Sequence, residues 1–141
     1  MRAPIACLLL ALSGWGCARP RTGTEAGIPP GGLLIDEQHI QQSGGHTAWE
    51  VLKRTAPMFR TRENRYGQPE GMERRGPSSI YLQDPPVVMI DGVRVSDLKA
   101  LDQIPANTLF SILVLSGIEG TTYYGTNAVS GVIVIRTKNG P

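Results

Sequence analysis

An α+β fold, close to α/β in character, is what this sequence predicts: one domain with a small mixed β-sheet and short helices. Three observations carry that expectation. Val87–Ile90, Ile112–Leu115 and Val132–Ile135 are short apolar runs bounded by turn residues. An unbroken apolar run signals a strand buried on both faces, because a half-exposed strand alternates polar and apolar positions. Asp91-Gly92 stands between apolar runs and supplies the two positive-φ positions of a type I′ hairpin turn. Seventeen glycines and eleven prolines among 141 residues favour many turns over long helices. A chain of this length supports one core and hardly two.

The N-terminus stands apart from the fold. Met1-Arg2 gives a positive start, Ile5–Leu12 is an apolar run, and small residues lead to Gly16-Cys17. That is a secretory signal pattern, too short to cross a membrane as a helix. Gly16-Cys17 resembles the lipobox of bacterial lipoproteins, in which the cysteine is acylated and becomes the first mature residue. Residues 1–17 are therefore expected to be a lipoprotein-type signal with Cys17 as the lipidation site, and simple signal cleavage nearby is the alternative. Cleavage at either place removes Cys7 and leaves at most one cysteine, so no internal disulfide is expected despite an oxidising destination.

Residues 18–32 are rich in Pro, Gly and Thr and read as a solvated linker, leaving 33–140 as the domain. Leu33–Ile35 reads as a short strand. Asp36 can cap a brief helix running through Gln41 and ending at Ser43-Gly44-Gly45. Thr47 with Glu50 three residues on is a capping box, opening a helix that runs to about Thr55 and stops at Pro57. Ala48, Val51 and Leu52 form its inward stripe, with Lys53-Arg54 favourably placed at its C-terminal end. Met58–Arg62 reads as an edge strand and Glu63–Ser79 as a long polar loop. After the Val87–Val95 hairpin, Asp97 can cap a helix whose Leu98, Leu101 and Ile104 share a face. Phe110–Leu115 is a strand and Ile118–Tyr124 a helix capped by Gly125. Gly131 then opens the last strand, Val132–Arg136.

Charge and chemistry narrow the function. Lys53 to Arg75 holds seven bases against three acids, a local +4 within a chain of net charge +2. Arg60, Arg62, Arg65, Arg74 and Arg75 are therefore candidate contacts for anionic headgroups or an acidic partner, beside the plainer reading of a solvated surface. Nucleic acid is not expected as a partner, since interleaved aromatics are wanted there and Tyr66 stands nearly alone. No catalytic arrangement is evident. Ser111, Ser116 and Ser130 lack a histidine partner nearby, and His39 and His46 have no ligand spacing with Asp36 and Glu37. Gly117–Thr122 lacks the Gly-Lys-Ser/Thr ending of a phosphate loop. Neither a catalytic site nor a metal or other cofactor is expected.

Three motifs together resemble the plug domain of TonB-dependent outer-membrane receptors, nearest to the variety found in large glycan and peptide importers. They are Val88-Met89-Ile90-Asp91-Gly92-Val93, then Ser111-Ile112-Leu113-Val114-Leu115-Ser116-Gly117, then Tyr124-Gly125-Thr126-Asn127-Ala128 with Gly131–Lys138. Leu33–Pro57 also resembles the start of such a plug, so the likeness runs from Leu33 to Gly140. The resemblance implies that Asp91, Gly92, Gly117, Gly125, Asn127 and Gly131 are structural positions, the last three permitting tight backbone turns. In the family a barrel follows the plug, and the 141 residues hold none. The motif presented to TonB near the mature N-terminus is also not recognisable. The expectation is thus a non-catalytic, exported, stand-alone plug-like module at the periplasmic face of the outer membrane, with a barrel protein as candidate partner. The alternative is a periplasmic or surface lipoprotein that carries a glycan, peptide or metal complex.

Overall fold

The computed structural model describes residues 28–75 and 85–140. The signal segment, Cys17, most of the linker and the 76–79 end of the expected loop lie outside the described residues. A five-stranded mixed sheet organises the molecule in the order β1-β6-β7-β4-β5. Its strands are β1 (Leu33–Ile35), β4 (Val87–Ile90), β5 (Val93–Val95), β6 (Leu109–Leu115) and β7 (Val132–Thr137). β4 and β7 pair in parallel and the other pairs are antiparallel. β2 (Phe59–Glu63) and β3 (Pro69–Arg74) form a separate antiparallel hairpin.

Strand alternation sorts the apolar residues into two layers. Val88, Ile112, Val114, Ile133 and Ile135 form one face, sealed by α1 (Glu37–Ser43), α2 (Ala48–Thr55) and Leu101. Val87, Leu115 and Val132 form the other, buried against Ala128 just after α3 (Gly117–Tyr124). Met89, Leu113 and Val134, farther along that second face, are only partly buried. The expectation of strands covered on both sides therefore holds for one face and fades along the other. The reason is length: α3 has eight residues, about 12 Å of helix, and covers one end of the strands.

The helix starts follow their caps. Asp36 accepts the His39 backbone N–H at 2.9 Å, and Thr47 accepts that of Glu50 at 3.3 Å. Glu50 in return accepts the N–H of His46, one residue before the cap, at 2.8 Å. Trp49, absent from the expected inward stripe, is buried on α2 with Val51 and Leu52. The segment after Asp97 is a 3-10 turn, Leu98–Gln103, rather than an α-helix. Its apolar spacing explains this, because Leu98, Leu101 and Ile104 recur every three residues, the 3-10 period.

The expected polar loop is the largest departure. Residues 69–74 return as β3, and Asn64 builds the turn by accepting the Tyr66 and Gln68 backbone N–H groups at 2.9 and 3.0 Å. Gly67 completes the turn at φ 77°. Only Pro69 and Met72 of β3 are buried, so the strand carries too few apolar residues to announce itself.

Candidate functional site

The basic segment becomes a defined element once β2 and β3 pair. Arg60 stands opposite Glu73, Arg62 opposite Gly71, and Phe59 opposite Arg74. Arg60 and Arg62 thus share one face of the hairpin, while Arg74 lies at its base on the opposite face with Phe59 and Met72. Arg65 sits in the exposed turn with its guanidinium 5.6 Å from the Tyr66 ring centroid, a cation–π stack. Arg75 follows at the base and is exposed. The hairpin collects all five arginines but divides them between its two faces and its tip.

Part of the local charge is neutralised within the fold. Lys53 bonds Glu63 at 2.5 Å, and Arg62 bonds Glu73 at 3.3 Å. Glu63 also accepts the indole N–H of buried Trp49 at 2.7 Å, fastening the hairpin to α2. The Lys53 bond, and then the Trp49 bond, hold the Glu63 carboxyl below its ordinary range. Asp36 is likewise lowered, by the His39 backbone and side-chain hydrogen bonds. A groove of about 570 Å³ runs between the hairpin and β5. Arg62, Glu70 and Glu73 on the hairpin wall and Arg94, Asp97 and Lys99 on the other give it a mixed-charge lining.

The six structural positions divide by backbone. Asp91 and Gly92 both take positive φ, 47° and 81°, as a type I′ turn requires. Gly131 combines φ 102° with a close approach, since a Cβ there would lie 2.7 Å from the Leu115 carbonyl oxygen. Gly125, at φ 86° and ψ 179°, ends α3 in a region that only glycine enters readily. A side chain on Gly117 would collide with the Val129 carbonyl, so the start of α3 and the later turn touch through backbone. Asn127 lies exposed in the 3-10 turn Thr126–Ala128 and has no positive φ. It therefore sits within a tight turn, as expected, with backbone angles open to residues other than Asn.

Sequence reasoning missed what Asp91 does with its side chain. Its Oδ1 accepts the Thr137 backbone N–H at 2.8 Å and its Oδ2 accepts the Thr137 hydroxyl at 2.7 Å. Its own N–H donates to the Ile135 carbonyl at 2.9 Å. One turn residue thereby locks the end of β7 to the β4–β5 hairpin, 46 positions apart in sequence. His39 pairs with Asp36 at 2.8 Å, and the described residues contain no group of three or more metal-ligating side chains.

The family profile described as TonB-dependent Receptor Plug Domain matches residues 33–132, most of the chain. The chain belongs to that family. It is 31% identical over 113 residues to the Rhizobactin receptor of Rhizobium meliloti (strain 1021), covering 76% of this chain and 14% of the receptor. It is 33% identical over 66 residues to TonB-dependent receptor P26 of Formosa agariphila, covering 47% of this chain and 7% of that protein. The chain thus spans about a seventh or less of the length of these curated relatives. Among solved structures, the ferric enterobactin receptor of Pseudomonas aeruginosa superposes with a TM-score of 0.58 at 22% identity, over 78% of this chain and 18% of that one. The RagAB peptide importer also gives 0.58, at 21% identity, over 76% of this chain and 12% of that one. The likeness to these structures fixes the plug fold, a small mixed sheet with short helices. Plug domains are components of transport receptors.

Proposed function

We propose that this plug is a non-catalytic accessory module of the cell envelope, exported, tethered through an acylated Cys17, and docked at the periplasmic face of the outer membrane on a barrel protein. The observation that carries the docking is the β2–β3 hairpin, a charged two-stranded element that pairs with no strand of the main sheet among the described residues. The interior of outer-membrane barrels is polar, so a hairpin bearing Arg60, Arg62, Arg65, Arg74 and Arg75 suits an acidic rim or lumen better than it suits lipid tails. Cys17 lies in a lipobox-like context, which supports the tether. A photo-crosslinking residue in place of Arg65, at the exposed turn, tests the docking in native envelopes. The expected product is a crosslink to a barrel protein, lost or strongly reduced when Arg60 and Arg62 are both changed to Glu. Crosslinks to no outer-membrane protein would count against the proposal.

One observation favours a second reading, a ligand carrier. The 570 Å³ groove, lined by three bases and three acids, has the size and mixed charge for a peptide or other zwitterionic small molecule. A thermal-shift series with short peptides and oligosaccharides tests it. A flat melting temperature across the series removes this reading and leaves the first intact.

A further inference from the structure

The surface of α3 and of the turn after it contrasts in chemistry with the arginine hairpin, because it carries exposed apolar side chains. Of the large apolar side chains most exposed among the described residues, four lie between Ile118 and Val129, in α3 and the turn after it. Ile118 is 79% exposed, Tyr123 63%, Tyr124 42% and Val129 60%. From Gly120 to Ile135 the sequence carries no charged residue. The one acid of α3, Glu119, turns away from this surface, toward the chain entering the domain. A Cβ on Gly31 would lie 2.7 Å from its Oε1, and its Oε2 is buried. Tyr124 also borders a groove of about 750 Å³ whose apolar lining is Ile28, Leu34, Phe110, Leu113 and Val134, with Asp36, Glu37 and Arg136 as its charged residues. Phe110 is itself 54% exposed. Scattered exposed apolar residues are ordinary, but four of them within one short helix and the turn after it mark an interaction surface.

We infer that the α3 tip, with Ile118, Tyr123, Tyr124 and Val129, rests on the phospholipid surface into which Cys17 is anchored. This rests on the lipid-tether reading above. A polar barrel lumen accounts for the arginine hairpin and leaves the exposed apolar side chains of the tip unexplained, whereas a bilayer interface accepts tyrosine rings and aliphatic side chains together, with charged groups beside them at headgroup level. The path of the chain argues for the same end. The described residues begin at Ile28, which borders the Tyr124 and Phe110 groove, and Gly31 lies against Glu119 of α3. Eleven residue steps separate Cys17 from Ile28. At ~3.3–3.6 Å per residue they reach at most about 40 Å whatever their conformation. An acyl group on Cys17 therefore holds the point where the chain enters beside α3 within about 40 Å of the bilayer and raises the local concentration of lipid seen by the tip. Tyrosine at headgroup depth with aliphatic side chains just below it is the arrangement of interfacial anchors, and burial of apolar area supplies the affinity.

An environment-sensitive fluorophore tests this on the full chain, processed and reconstituted in vesicles of phosphatidylethanolamine and phosphatidylglycerol. Acylated Cys17 is a thioether and does not label, so Ile118→Cys carries the dye, and Val93→Cys on the exposed β5 edge is the control. Both sites are surface positions, so labelling leaves the core untouched. The expected result is a blue shift at position 118, with quenching by lipids carrying a spin label in the upper acyl chain, and neither at 93. An acylated, vesicle-bound protein whose dye at 118 stays in water overturns the inference while leaving the tether standing. A dye at 118 that shifts with protein concentration and without vesicles also overturns it, since a second copy then covers the tip. A chain that labels at Cys17 and stays off vesicles overturns both the tether and the inference.

Discussion

Asp91 shows how much a single residue of this plug does. It occupies the left-handed region at φ 47°, where Asn and Asp are tolerated, and both its carboxylate oxygens hold Thr137. Asp91→Ala removes two hydrogen bonds to an ionised acceptor and adds left-handed strain. A loss of about 2–4 kcal/mol is expected from denaturant unfolding. Asp91→Asn keeps the backbone preference and one acceptor, and about half that loss is expected. Equal losses for the two would show that the carboxylate bonds, not the turn, carry the effect. Glu63 gives the pH dependence. Because its carboxyl is lowered in the folded state by Lys53 and Trp49, the folded chain binds that proton less readily than the unfolded chain. Its stabilisation is therefore complete above its ordinary value of 4.5 and is lost as pH falls through the lowered folded value. Unfolding midpoints followed down from neutral pH should fall more steeply for the native chain than for Glu63→Gln. Parallel curves would remove Glu63 from the acid limb.

Elements differ in how plainly the sequence announces them. Asp36 and Thr47 mark their helices because capping is local and stereotyped. Asp91-Gly92 marks its hairpin for the same reason. β3 was illegible because pairing with β2 needs few apolar residues of its own, and Met72 is its one large buried side chain. Asn64 and Gly67 were the available sign of a turn there. The candidate contact residues were legible as a charge run but not as a surface, since strand register alone puts Arg74 behind Arg60 and Arg62. The glycines permit a matched comparison. Gly131 and Gly67 both have positive φ, but a Cβ meets the Leu115 carbonyl at Gly131 and nothing within 4 Å at Gly67. Gly67→Ala should cost about 1–2 kcal/mol from backbone strain alone. Gly131→Ala should cost clearly more, about 3 kcal/mol or above, because the β6–β7 end must also part. Similar melting temperatures for the two variants would contradict the role given to that close approach.

At the scale of the whole molecule, the α+β class and the plug family were readable because three motifs recur in order across nearly the entire domain. The uneven covering of the sheet was not, since apolar runs report how apolar a strand is and not which end a short helix reaches. The molecule presents two unlike surfaces, an arginine hairpin and the exposed apolar side chains of α3 and the turn after it. The proposed accessory module, held at a membrane with its charged element turned to a protein partner, rests on that contrast. Fractionation of the native host envelope, with mild crosslinking before separation, tests this most directly. The account predicts recovery in the outer-membrane fraction, crosslinked to a barrel protein, and release when Cys17→Ser and Arg60→Glu, Arg62→Glu are combined. A soluble protein that crosslinks to no membrane component would contradict it.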